Sequence, residues 1–259
     1  GAGKTTTLRM ILGLIRPSAG TATVLGRPAG EAGANRRVGA LIEGPGFYPY
    51  LSGRDNLRVL ARYRGLGDAE ADRVLDRVGL AARGGDPFRT YSLGMKQRLG
   101  VAAALLGDPG LLILDEPTNG LDPAGVGDMR RLLTDLAADG HTVMLSSHML
   151  SEVQEICDRV GVINRGRLVA ESTVDELRGA GGLRGRAEPV GAALEVSTRI
   201  ARDEVTVTGD ALHLHVDPGR AAEVTRALVE AGVDVHEIRP AERSLEEVFF
   251  EMTAPEEVA

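Results

Sequence analysis

Apolar residues at Leu8, Ile11, Leu12 and Ile15 recur at helical spacing and predict a helix over 5–15, ended by Pro17, Ser18 and Gly20. Residues 21–25 and 37–43 read as strands. From 52 to 106 the pattern turns helical. Ser52 followed by Asp55 has the form of a helix start. Val74, Leu75 and Val78 stripe a helix over 69–78, and Leu99, Ala102, Ala103 and Leu106 stripe another over 94–106. The wholly apolar run 111–114 stops at Asp115 and fits a strand buried on both faces of a parallel sheet. A helix over 126–138, a strand over 142–145 and a helix over 151–158 follow. Segments 160–163 and 168–170 then pair as a hairpin across Asn164-Arg165-Gly166, and Thr173 with Glu176 makes a capping box.

Residues 179–191 are rich in Gly and Arg, contain a Pro and show no periodicity, which predicts a linker. A small α+β domain is expected over 192–253. Strands 204–208 and 211–216 alternate in polarity around Gly209-Asp210, which leaves His213 and His215 on a solvated face. A helix over 218–231 opens on Pro218, and a strand covers 233–238. Ser244 and Glu247 cap a last helix with Leu245, Val248, Phe249 and Met252 on its inner face. Residues 1–178, by contrast, alternate strands with helices, which implies a mostly parallel sheet with helices packed on it. Ligands of such sheets bind beyond the carboxyl ends of the strands. Three of the expected strands end at Glu43, at Asp115-Glu116 and at Ser146-Ser147-His148.

Composition narrows this picture only a little. With 43% hydrophobic and 26% charged residues over 259 positions, the chain is of globular type. Aromatics at 3% make the core aliphatic, and a net charge of −7 argues against a nucleic-acid partner. The single cysteine, Cys157, cannot form an internal disulfide and suits a reducing compartment. No apolar run approaches the ~20 residues of a spanning helix.

Gly1-Ala2-Gly3-Lys4-Thr5-Thr6 is the second half of a phosphate-binding loop, G-x-x-x-x-G-K-[ST]. Backbone N–H groups of such a loop and the helix N-terminus behind it cradle phosphate oxygens. Lys4 would reach the β and γ phosphates of ATP, and the Thr5 hydroxyl would bind Mg²⁺. The first Gly of the loop and its strand are expected before residue 1, so weak or absent ATP hydrolysis is expected of residues 1–259 alone. Asp115, at the end of a buried strand, would complete the Mg²⁺ shell. Glu116 beside it can take a proton from an attacking water. Ser92, in Tyr91-Ser92-Leu93-Gly94-Met95-Lys96-Gln97, can cap a helix whose N-terminus would suit a phosphate.

These segments, in this order, resemble the nucleotide-binding domain of ABC transporters: Gly1 to Thr6, Glu43, Tyr91 to Gln97, Leu111 to Glu116, Leu121-Asp122 and His148. The resemblance covers residues 1 to about 178. It implies an α/β fold with a P-loop NTPase core and mostly parallel sheet, a helical subdomain over about 50–106, and the small C-terminal α+β domain. It further implies that Ser92 and Gly94 contact the γ-phosphate of an ATP held by the opposite subunit. Asp122 would link the two sites, and His148 would sense the γ-phosphate. Glu43 stands where the family has Gln, and the signature reads Ser-Leu-Gly-Met. Both variants, and the tail Ser244-Leu245-Glu246-Glu247-Val248-Phe249-Phe250, look like the branch that exports drugs and antibiotics, similar to bacitracin and daunorubicin exporters. The implied partners are a second ATPase domain, as homodimer or heterodimer, and integral membrane permease subunits, with this chain peripheral at the cytoplasmic face of the plasma membrane. A repair or translation ATPase of the same family fits less well. Only about 90 residues separate Lys4 from Ser92, with no room for a long coiled coil, and the chain holds one core. A non-catalytic binding module is the remaining alternative.

Overall fold

The computed structural model describes residues 1–253 other than 32, 34, 35, 180, 181, 202–204, 210, 242 and 243. The chain divides into two compact units, Gly1–Ile156 with Ile163–Leu168, and Cys157–Val162 with Val169–Ala259.

In the first unit, helix α1 (Lys4–Ile11) follows Gly3, which takes a left-handed conformation, φ 102°. A two-stranded ribbon, β1 (Thr23–Val24) and β2 (Arg27–Pro28), comes next. The expected strand over 21–25 is thus only two residues long. Leu25 and Gly26 both have positive φ and turn the chain back, the geometry of a two-residue hairpin. Helix α1 likewise stops at Ile11, short of the expected 15, and Leu14 and Ile15 are exposed.

Strands β3 (Val38–Leu41), β4 (Leu111–Asp115) and β5 (Thr142–Ser146) form a parallel sheet with β4 in the middle. Leu112, Ile113 and Leu114 are fully buried, as the unbroken apolar run predicts. Their side chains still alternate between faces. Leu112 and Leu114 join the large core with α2 (Gly53–Tyr63), α3 (Ala69–Arg77), α4 (Leu93–Ala104) and α5 (Pro123–Ala138), while Ile113 packs with Leu8, Val24 and Val38 on the other face. Helix α4 is more enclosed than the expected single stripe: Leu99, Gly100, Val101, Ala102 and Ala104 are all buried. Small residues let it lie against β3 so closely that a Cβ on Gly39 would sit 2.1 Å from the Ala104 carbonyl oxygen.

Caps read from sequence form as expected. Ser52 Oγ accepts from the Asp55 N–H at 3.0 Å, and Thr173 and Glu176 make the reciprocal box. Hydrogen bonds from Ser172 and Thr173 hold the Glu176 carboxyl down to about 2. Helix α5 begins at Pro123, three residues before its expected start, because Asp122 caps it through the Gly125 N–H. Helix α6 (Leu150–Ile156) leads into a ribbon of β6 (Arg159–Asn164) and β7 (Arg167–Thr173), turned by Arg165 and Gly166, and α7 (Val174–Arg178) follows.

In the second unit the expected linker over 179–191 holds β8 (Leu183–Glu188) and the first residues of α8 (Val190–Ala201). Inward Leu183, Gly185 and Ala187 do alternate with Arg184, Arg186 and Glu188, but two of the three inward residues are too small to register as apolar. Strands β9 (Val205–Thr208) and β10 (Ala211–Leu214), helix α9 (Ala221–Glu230) and strand β11 (Asp234–Pro240) complete an antiparallel sheet in the order β11-β8-β10-β9. That is a split βαβ, or ferredoxin-like, arrangement. Glu204 and Asp210, part of the expected hairpin, lie outside the described residues. Helix α10 (Leu245–Thr253) buries Leu245 and Val248, whereas Met252, expected on the inner face, is exposed. Among the described residues no helix is long and apolar enough to cross a membrane.

Gly39→Ala should lower stability by about 1–3 kcal/mol, because backbone rather than a movable side chain meets the new Cβ. Urea unfolding followed by circular dichroism measures it, and an unchanged midpoint would mean that α4 can step back from β3.

Candidate functional site

The site forms where β4 and β5 end and α1 begins. Asp115, the last residue of β4, receives two hydrogen bonds: Thr5 Oγ1 donates to Oδ2 at 2.8 Å and Ser146 Oγ donates to Oδ1 at 2.5 Å. One carboxylate therefore joins the first turn of α1 to the last residue of β5. Bonds of this charge-assisted kind are the stronger ones.

Glu116 follows with φ 48°, a left-handed backbone that a non-glycine residue rarely holds without support from its surroundings. Its N–H donates to the Ser146 carbonyl at 3.2 Å and to Ser146 Oγ at 3.0 Å. Its carboxylate faces two cationic or potentially cationic groups. Lys4 Nζ lies 3.7 Å from Oε1, and His148 Nδ1 lies 3.0 Å from Oε2. Side chains of Lys4 and Glu116 remain about one-third open to solvent, so a ligand has access to both. Glycine at position 3 supplies the αL turn into α1, and Thr7 Oγ1 bonds back to the Gly3 carbonyl at 3.0 Å. Gly1 and Ala2 precede Gly3 in the short loop, Thr6 lies in the first turn of α1, and the Ala2 carbonyl accepts from the Gly166 N–H at 2.9 Å.

The other residues singled out in the sequence lie apart from this cluster. Ser92 caps α4 by accepting from the Met95 N–H at 3.2 Å, and Asp122 caps α5. With Gly94 and Arg98 they line one shallow cavity of about 440 Å³. Among the described residues no hydrogen bond or ion pair joins that cavity to the Asp115–Glu116 cluster. Glu43 also stands aside. Its backbone is left-handed, φ 58°, and its carboxylate pairs with the Arg9 guanidinium of α1 at 2.5 Å.

A family model described as ABC transporter matches residues 1–119. The bacitracin transport ATP-binding protein BcrA of Bacillus licheniformis is 41% identical, across 97% of this chain and 85% of that protein. The chain belongs to the ABC transporter family. The lantibiotic transport ATP-binding protein SrtF of Streptococcus pyogenes is 40% identical across 68% of the chain and 76% of its own length. A solved structure titled as the ATP-binding subunit of an ABC transporter matches with a TM-score of 0.60 at 32% identity, covering 68% of this chain and 76% of that one. The parallel sheet with its flanking helices is thus the α/β P-loop NTPase fold, and the activity of this ABC subunit is ATP hydrolysis.

Two site contacts of this ABC subunit escape a motif-based reading. Arg9 carries no signal that it would pair with Glu43. Ser146 lies in the strand-end tripeptide Ser146-Ser147-His148, where only His148 draws attention, yet its hydroxyl serves Asp115 and the Glu116 backbone together. Ser146→Ala strips one bond from a carboxylate and one from a backbone N–H. It should cost about 1–3 kcal/mol of stability, read as a lower urea midpoint. A cost near zero would show that water replaces both bonds.

Proposed function

We propose that this ABC protein powers export of an antibiotic or a similar compound through separate membrane permease subunits, working at the cytoplasmic face of the plasma membrane. Its bacitracin- and lantibiotic-transport relatives support the substrate class. What carries the catalytic part is the convergence of Lys4, Thr5, Asp115, Glu116 and His148 at the ends of β4 and β5.

In this reading the N–H groups of residues 1–6 and the N-terminus of α1 hold the phosphates of ATP. The Thr5 hydroxyl and Asp115 carboxylate are hard oxygen donors of the kind Mg²⁺ takes. Among the described residues no group of three His, Cys, Asp or Glu offers a full protein cage, which suits an ion that keeps phosphate and water ligands. Bound there, Mg²⁺ would neutralise charge developing on the β- and γ-phosphate oxygens. Lys4, paired with Glu116 at 3.7 Å, swings its ammonium to the β and γ phosphates when ATP arrives. That releases the Glu116 carboxylate to accept a proton from the attacking water. His148, whose Nδ1 lies 3.0 Å from Glu116, would touch the γ-phosphate and register its departure. The cavity lined by Ser92, Gly94 and Asp122 serves an ATP carried by a second ATPase domain, in a homodimer or heterodimer. The N-terminus of α4 offers its unpaired N–H groups there. Glu43, tied to Arg9 and apart from the Lys4–Glu116 cluster, would meet the nucleotide only at its edge.

Replacing Glu116 by Gln removes the base and keeps the shape. ATP turnover should fall about 10²–10⁴-fold, while affinity for ATP, measured by calorimetry, stays within a few-fold. Turnover at the parent rate would remove Glu116 from the chemistry.

A further inference from the structure

Thr118 and Glu152 have no role in the steps above, yet they are two of the polar side chains the fold buries, at 7% and 2% exposure. Thr118 Oγ1 donates to Glu152 Oε2 at 2.7 Å. The other carboxyl oxygen, Oε1, is buried without a hydrogen-bond partner. Buried polar atoms are nearly always satisfied, and each exception calls for a reason. Stability alone is a poor one, since two apolar residues of the same shape would fill this space without the bare oxygen.

Their places in the chain supply a better reason. Thr118 stands two residues after Glu116, on a turn closed by the Asn119 N–H to the Glu116 carbonyl at 3.1 Å and by the Leu121 N–H to the Thr118 carbonyl at 3.1 Å. Glu152 stands four residues after His148, in the first turn of α6. The buried bond therefore ties the segment that carries Glu116 to the segment that carries His148. Bonds from Ser146 fasten the same two segments on the Glu116 side. Glu116 needs such support, because its left-handed backbone persists only where surroundings impose it.

We infer that Thr118 and Glu152 are positioning residues for ATP hydrolysis: their buried bond holds the Glu116 turn against the His148 segment and so fixes the Glu116–His148 contact. The inference rests on the reading of Glu116 as the base. Thr118→Val deletes the hydroxyl at nearly constant shape, and Thr118→Ser keeps it. Hydrogen exchange by mass spectrometry and ATP turnover are measured on the full chain for both variants, with Glu116→Gln alongside. In Thr118→Val, exchange in peptides covering 115–121 and 146–152 should rise about tenfold, with peptides of the second unit unchanged. kcat should fall about tenfold with KM for ATP within about twofold, and Thr118→Ser should restore both readouts. Unchanged exchange at 115–121 in Thr118→Val, or a rise spread equally over all of residues 1–156, overturns the inference. Parent-rate turnover in Glu116→Gln would sink the catalytic reading instead, and the exchange data would still decide the positioning one.

Discussion

The Asp115 carboxylate is the fastening on which the site depends. It sits at the end of the most buried strand of the sheet, and a charge there needs partners close by. Thr5 and Ser146 supply them, at 2.8 and 2.5 Å. Through those two bonds the start of α1, the end of β4 and the end of β5 are held at one point. Every other group in the cluster is placed relative to it: Lys4 is next to Thr5, Glu116 is next to Asp115, and His148 is two residues past Ser146.

The packing behind this point gives it rigidity. β4 has parallel neighbours on both sides and apolar contacts on both faces, so its end cannot drift. The residues beyond β4 then leave regular structure abruptly, with Glu116 forced into the left-handed region. A buried strand that ends in a strained acid holds Glu116 facing Lys4 at the start of α1 without a flexible arm between them. That arrangement suits a reaction in which the protein mainly positions and stabilises charge.

How much of this the sequence reveals depends on whether a feature is carried by local chemistry. The 111–114 run, the Ser52, Thr173 and Ser244 caps and the Arg165-Gly166 turn were all legible, because a few adjacent residues determine each of them. Strand β8 was hidden because two of its three inward residues are Gly185 and Ala187, which pack closely without looking apolar. Ribbon β1–β2 leaves no such mark, because two-residue strands carry no period. In the site, Lys4, Thr5, Asp115 and Glu116 stood out by motif, and His148 by its place after a strand. Ser146, Thr118 and Glu152 did not, since a serine, a threonine and a surface-type acid gain meaning only when strands and helices bring them to a partner 30 or more residues away. Glu43 shows the converse. Its position was evident, but its pairing with Arg9 is a matter of tertiary geometry.

The central claim is that Thr5 and Asp115 form the protein's half of a Mg²⁺ site serving ATP. Its most direct test is calorimetric titration of ATP into the full chain and into Asp115→Asn, with Mg²⁺ and with EDTA. The account predicts that Mg²⁺ tightens ATP binding in the parent and that this tightening disappears in Asp115→Asn, while affinity in EDTA is similar for both. The same Mg²⁺ dependence in parent and variant would contradict it.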